Sequence, residues 1–117
     1  MARAKRKRKD YCFDLDGTLC TNTGGDYTQA VPYPQRITEL NALAAAGHRV
    51  VIYTARGSKT GIDWTKLTRR QLAAWKVKYN ALYMGKPFAD IYVDDKSVAA
   101  DDWFKSGPTP AGRRAKK

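Results

Sequence analysis

Two aspartates two residues apart, Asp14 and Asp16, follow the short apolar run 11–13 and lead into a Gly17-Thr18 turn, in the stretch FDLDGTL at 13–19. Farther along, Thr54 ends the apolar run 50–53, Lys86 stands in MGKP, and Asp94-Asp95 end the run 91–93. Such residue types suit phosphoryl transfer, which needs a nucleophile in line with the leaving group and cations on the equatorial oxygens. A carboxylate can be that nucleophile, and a second one can pass the proton. Mg²⁺ is a hard ion, satisfied by one or two carboxylates plus waters and substrate oxygens. The competing reading of 14–18 is an Asp-rich turn with a structural role. An EF-hand is excluded, because the stretch lacks the further oxygen ligands and the closing Glu. Gly85-Lys86 is not a Walker lysine: Asn80 stands where the first glycine belongs and no Ser or Thr follows. His48 is the only histidine, so Ser-His-Asp chemistry has no good candidate base.

These residues can act together only if the elements between them bring them to one edge. Tyr11–Phe13, Val50–Tyr53, Ala81–Met84 and Ile91–Val93 read as strands. Pro34 suits the first turn of a helix whose apolar face holds Ile37, Leu40, Leu43 and Ala44, and Gly47 is placed to stop it. Asp63 can cap a second helix bearing Trp64, Leu67, Leu72 and Trp75, and Ser97 a last short one through Phe104. The order β-α-β-α-β-β-α is that of an α/β domain with a mostly parallel sheet and flanking helices. In open α/β sheets the site lies beyond the carboxyl ends of the strands. Three of the four expected strands run straight into a polar residue, so Asp14, Thr54 and Asp94 are expected to converge.

The length of 117 residues fits a single domain. The net charge of +11 is unevenly spread. Residues 1–9 carry six Lys/Arg and residues 105–117 carry five, with no acid in either, while 10–104 carry eleven of each sign. The expected organisation is therefore a basic tail at 1–9, a domain at 10–104 and a second basic tail at 105–117, both tails disordered for want of apolar residues. Such tails can touch nucleic acid through counterion release, or they only add solubility. No apolar run approaches a membrane span, and no signal-peptide pattern follows the basic start; a soluble, cytoplasmic protein is expected. Cys12 and Cys20 make neither a disulfide framework nor a zinc site. Cys12 is expected to pack as a small hydrophobe and Cys20 to be exposed.

FDLDGTL resembles the first motif of the haloacid dehalogenase (HAD) superfamily, most of whose members are phosphatases. IYTAR at 52–56 is similar to its second motif, Lys86 to its third-motif lysine, and YVDDK at 92–96 to its fourth. The resemblance implies a HAD-like Rossmannoid domain and a Mg²⁺-dependent phosphohydrolase working through an aspartyl-phosphate. It implies Asp14 as nucleophile, Asp16 as acid and base, and Thr54 with Lys86 as the phosphate cradle; Arg56 is expected to bind substrate. Asp14, Asp94 and the backbone carbonyl of Asp16 would hold the metal, with Asp95 acting directly or through water. Within the superfamily, VPYP, YTARG, GIDW and YMGKPFADIYVDDK resemble small proteins of capsule or nucleotide-sugar gene clusters and of phages. The phosphatase half of phage polynucleotide kinase shows similar motifs. No cap domain is expected, since only residues 20–33 separate the first strand from its helix and 31 residues separate Thr54 from Lys86. Capless members tend to act on large substrates or borrow a lid from a neighbouring subunit, which leaves a homo-oligomer open. The expected substrate is a phosphorylated metabolite such as a sugar phosphate. The alternatives are a nucleic-acid end, or a non-catalytic nucleic-acid-binding module on the same fold.

Overall fold

The computed structural model describes residues 7–104 and 107–110. Strand β1 (Asp10–Phe13) is followed by a 3₁₀ turn (Tyr27–Gln29), helix α1 (Pro34–Ala45), strand β2 (Arg49–Tyr53), helix α2 (Thr65–Ala74), strand β3 (Ala81–Tyr83) and helix α3 (Ala100–Trp103). The three strands form one parallel sheet in the order β1-β2-β3. The register pairs Phe13 with Ile52 and Ile52 with Leu82. The result is a small α/β domain with a parallel sheet and flanking helices, and no cap is inserted among the described residues.

Crossovers of one hand that step the same way across a sheet put their helices on the same face. Here Phe13, Val50 and Ile52 pack in one cluster with Ile37 and Leu40 of α1, Leu72 of α2 and Phe104 beyond α3. The opposite face carries Cys12, Val51, Tyr53 and Tyr83 around an open hollow. Strand alternation decides the cysteines. Tyr11 and Phe13 point to the core, so Cys12 is exposed, while Cys20 is fully buried beneath the loop after β1. Both cysteine expectations are thus reversed.

Pro34 opens α1 as expected, and Gly47 closes it with φ +96. Asp63 does not occupy the N-cap of α2, which is Trp64, but one residue earlier it accepts the Thr65 N–H (2.9 Å). Ser97 caps nothing: α3 begins three residues later, after Ala99, with no side-chain cap. Behind α2, Trp75 and Tyr79 pack against the core. Asn41 fixes that turn by donating to the Lys76 carbonyl (2.9 Å) and accepting from the Lys78 N–H (2.8 Å).

The largest departure from expectation is the fourth strand. Residues 91–93 form no strand: Ile91 is 77% and Val93 94% exposed. The segment is instead turned back on itself, the Tyr92 hydroxyl donating to the Pro87 carbonyl and the ring lying 4.3 Å from the Lys86 ammonium. β1 consequently pairs on one side only among the described residues. The basic ends fall largely outside the described residues. No described helix is long and apolar enough to cross a membrane.

Exchange rates should report this division directly, because protection follows burial and ladder hydrogen bonds. The β2 amides of 50–52 are expected to exchange with the global unfolding rate. Those of 91–95 are expected to exchange orders of magnitude faster, as read by amide hydrogen exchange on the metal-free protein.

Candidate active site

Past β1 the chain stays extended, so Phe13 and Leu15 are buried while Asp14 and Asp16 are only partly covered. It then closes tightly: the N–H groups of Thr18 and Leu19 both donate to the Leu15 carbonyl (3.1 and 2.8 Å). Gly17 sits at φ +85, and a Cβ there would lie 2.7 Å from the Asn22 amide nitrogen. The turn therefore needs glycine. Arg36, fully buried and missed by the sequence reading, holds the turn from behind. Its guanidinium donates to the Thr18 carbonyl (3.2 Å), pairs with Asp101 of α3 (2.6 Å) and lies over the Tyr33 and Phe104 rings.

Asp14 is the centre of the exposed chemistry. Its Oδ2 accepts the Thr18 hydroxyl (3.2 Å) and its Oδ1 lies 3.6 Å from the Lys86 ammonium. Lys86 is delivered there by the turn after β3, where Gly85 takes φ +89 and the Lys86 N–H donates to the Thr54 carbonyl (3.0 Å). Burial pushes the Asp14 carboxyl above its usual range; the Lys86 charge and the Leu15 N–H pull the other way, Asp16 adds to the rise, and the Thr18 hydroxyl opposes it. Thr54 is only 1% exposed, and its hydroxyl accepts the Arg56 N–H (3.1 Å).

Arg56 is not placed to meet a substrate, which corrects the expectation for it. Its side chain is fully buried. Nε and one terminal nitrogen bind the two oxygens of Asp16, both at 2.9 Å. The other terminal nitrogen donates to Thr68 (3.0 Å) and Gln71 (2.6 Å) of α2. The Tyr27 ring stacks 4.7 Å from the guanidinium carbon, and Gln71 returns a bond to the Tyr27 carbonyl (2.7 Å). The loop 20–33 is therefore pinned at Tyr27, with its Gly24-Gly25 tip outside these contacts. A polar residue following the apolar run 50–53 was legible; that a charged one would face inward was not, although Thr68 and Gln71 lie three residues apart on α2, where a shared partner is within reach.

The structure thus gathers Asp14, Asp16, Thr54 and Lys86 at the carboxyl ends of the strands. It does not bring Asp94 and Asp95 to them. Asp94 accepts the Lys96 N–H (2.9 Å) and Asp95 pairs with the Lys96 ammonium (3.2 Å), all on the exposed stretch after β3. Among the described residues no three His, Cys, Asp or Glu side chains are grouped so as to hold a metal ion.

The fold has solved counterparts. A crystal structure of an MCSG target from Vibrio cholerae superimposes with a TM-score of 0.73 at 28% identity, covering 80% of this chain and 85% of that one. A chain of the Pnkp1/Rnl/Hen1 complex, and one of the Pnkp1/Rnl/Hen1 RNA repair complex, superimpose with TM-scores of 0.54 at 22% identity. They cover 75% and 78% of this chain but 30% of theirs, so the likeness there is one of fold over under a third of each. No family model matches, and no curated protein matches.

Two stability measurements test this geometry. Removing one partner of a buried ion pair strands the other, at about 3 kcal/mol or more. Arg56→Ala is therefore expected to lower the unfolding free energy by that amount in urea titration. For Asp14 the sign is opposite. An acid whose folded pKa is raised binds its proton more tightly in the folded state, so stability falls as pH rises through the interval between the unfolded and folded values. Asp14→Asn is expected to raise the thermal midpoint at pH 7. The gain should shrink as pH is lowered through the raised Asp14 titration, where wild-type Asp14 also becomes neutral.

Proposed function

We propose that the protein is a phosphomonoester hydrolase in which Asp14 attacks phosphorus and Asp16 moves the proton. The observation that carries this reading is the convergence of Asp14, Asp16, Thr54 and Lys86 at one end of a parallel sheet, with Lys86 against Asp14. In the first half-reaction an Asp14 oxygen bonds to phosphorus, the ester P–O bond breaks, and Asp16 protonates the leaving oxygen. In the second, water attacks the aspartyl-phosphate, Asp16 takes its proton, and the Asp14–phosphorus bond breaks to release inorganic phosphate. Each Asp16 oxygen accepts one Arg56 N–H. Oδ1 also accepts the Cys20 thiol (3.4 Å), so it is Oδ2 that keeps a second lone pair, where a proton can be carried. The Lys86 ammonium supplies positive charge beside the attacking carboxylate, and the Thr54 carbonyl holds the Lys86 backbone N–H (3.0 Å).

The HAD resemblance implies Mg²⁺. The carboxylates as they stand in the structure do not fit it, because Asp94 and Asp95 are away from Asp14. In this reading, metal binding waits on residues 91–95 joining the sheet at the free edge of β1, which would carry Asp94 toward Asp14. The leaving group is that of a phosphorylated metabolite such as a sugar phosphate or, in a second reading, a polynucleotide end. The openness of the site among the described residues favours a large substrate and hence the second.

Asp14→Asn is expected to lose roughly 10⁴-fold or more in kcat on a generic phosphate ester, the scale seen when nucleophiles are removed elsewhere. Retention of a tenth of wild-type turnover would refute the nucleophile. Mg²⁺ is expected to be required for turnover and to slow amide exchange at 91–93, and Asp94→Asn should abolish that slowing. Full turnover in excess chelator would remove the metal from the reading.

A further inference from the structure

The near-neutral total of residues 10–104 conceals a separation of charge. Residues 57–80 carry six Lys/Arg and one acid, Asp63; residues 87–104 carry five aspartates and one lysine. Of the acidic group only Asp101 and Asp102 belong to α3; the stretch 87–96 follows β3 and touches the basic group, the Lys59 ammonium lying 4.5 Å from the centre of the Phe88 ring. Helix α1 is the middle element: its Arg36 pairs with Asp101 of α3, and its Asn41 clasps the turn behind α2. α3 therefore flanks it on one side and α2 on the other.

On α2 the residues Lys66, Arg69 and Arg70 are exposed, while Thr68 and Leu72 face inward. Lys59 precedes them and Lys76 and Lys78 follow, all exposed. Spacings of three and four place Lys66, Arg69 and Arg70 side by side, where like charges destabilise a helix. The ion pairs among the described residues engage Arg36, Arg56, Lys86 and Lys96, and none reaches this stripe. Asp63 acts on Lys66 alone, from one end. A face kept merely soluble would intersperse acids along the stripe; this one does not.

The direction of α2 gives the stripe its meaning. Because β2 and β3 are parallel, α2 starts at the carboxyl ends of the strands and runs away from them. Its first turn adjoins the candidate site: the Trp64 ring meets Tyr27 edge-on at 5.1 Å. A groove lined by Gly57, Ser58, Ile62, Asp63, Trp64 and Gly85 among others opens beside that turn, next to the Gly85 turn that leads to Lys86; Asp63 is its one acid. From there the ten-residue helix extends about 15 Å.

We propose that the outer face of α2 is a track for the backbone of a single polynucleotide strand, whose phosphorylated end lies at Asp14 and whose interior phosphates meet Lys66, Arg69, Arg70 and then Lys76. The placement of the end rests on the hydrolase reading; the track itself does not. Single strands release about 0.7 counterion per phosphate neutralised, so affinity falls with salt in proportion to the contacts made.

The test uses the full chain and a fluorescent oligonucleotide of about fifteen nucleotides with a 3′-phosphate, long enough to outrun the helix. The variant combines Lys66→Gln, Arg69→Gln and Arg70→Gln, with the thermal midpoint as the check on folding. The basic ends are present in both proteins and cancel. The slope of log affinity against log salt is expected to flatten by roughly 2, and Kd at low salt to weaken at least tenfold. A photoreactive base at the phosphorylated end should cross-link within 57–66, and one in the interior within 70–78. An unchanged slope and Kd, or cross-links in the reverse order, would overturn the track. Binding is read without turnover, so loss of the hydrolase reading leaves this measurement intact; hydrolysis of a small ester with unaltered oligonucleotide binding would retain the hydrolase and remove the track.

Discussion

A guanidinium offers five N–H donors in a rigid fork, and burying it leaves no water to satisfy them. Every donor direction of Arg56 finds an acceptor in the protein: two on Asp16, one on Thr68, one on Gln71, and a long contact to the Cys20 sulfur. Those acceptors come from the loop after β1 and from α2, and Tyr27 adds a ring from the intervening loop. One side chain at the end of β2 therefore ties together the pieces that surround Asp14. Remove it, and the aspartate of the turn, the start of α2 and the loop 20–33 each lose the same anchor. Gly57 next to it is equally constrained: it takes φ +84, and a Cβ would collide with the Ile62 carbonyl.

The same logic explains why two cysteines and two arginines sit opposite to where composition places them. Burial in a strand is set by parity, and Tyr11 and Phe13 outweigh Cys12 for the core face. Cys20 lies under Leu15 and Asp16 with its thiol pushed far up by burial, which makes it an inert packing group. Arg36 and Arg56 are buried because each meets acceptors fixed by other elements, and such a meeting is a tertiary fact that spacing along the chain does not contain.

What could be read from the chain was whatever local order decides. The runs 11–13 and 50–53, the Pro34 helix and its Gly47 stop, and Asp14 and Thr54 at strand ends all follow from short-range pattern, and the structure places them as read. The run 91–93 has the same composition as the others, yet it stays outside the sheet. A three-residue strand has little pairing of its own and forms only if an edge accepts it; Tyr92 engages Pro87 and Lys86 instead. Half of the expected carboxylate cluster was legible for that reason and half was not: Asp14 and Asp16 ride on an element the core holds, and Asp94 and Asp95 ride on one it does not.

That division bears on how the site could be completed. Ile91 and Val93 expose apolar surface that joining the sheet would bury, at about 25 cal/mol per Å², against the entropy of fixing each backbone residue, about 1–2 kcal/mol. Two or three residues leave these opposing quantities close to balance. A ligand that binds only the joined arrangement then shifts the population by its difference in affinity for the two states and by nothing else. In the arrangement seen, the Lys86 ammonium holds the Tyr92 ring and the Asp14 carboxylate at once, at 4.3 and 3.6 Å. One side chain thus links the carboxylate that the core holds in place to the segment that the core leaves out, which is why Asp14 and Asp94 meet different surroundings although both follow apolar runs.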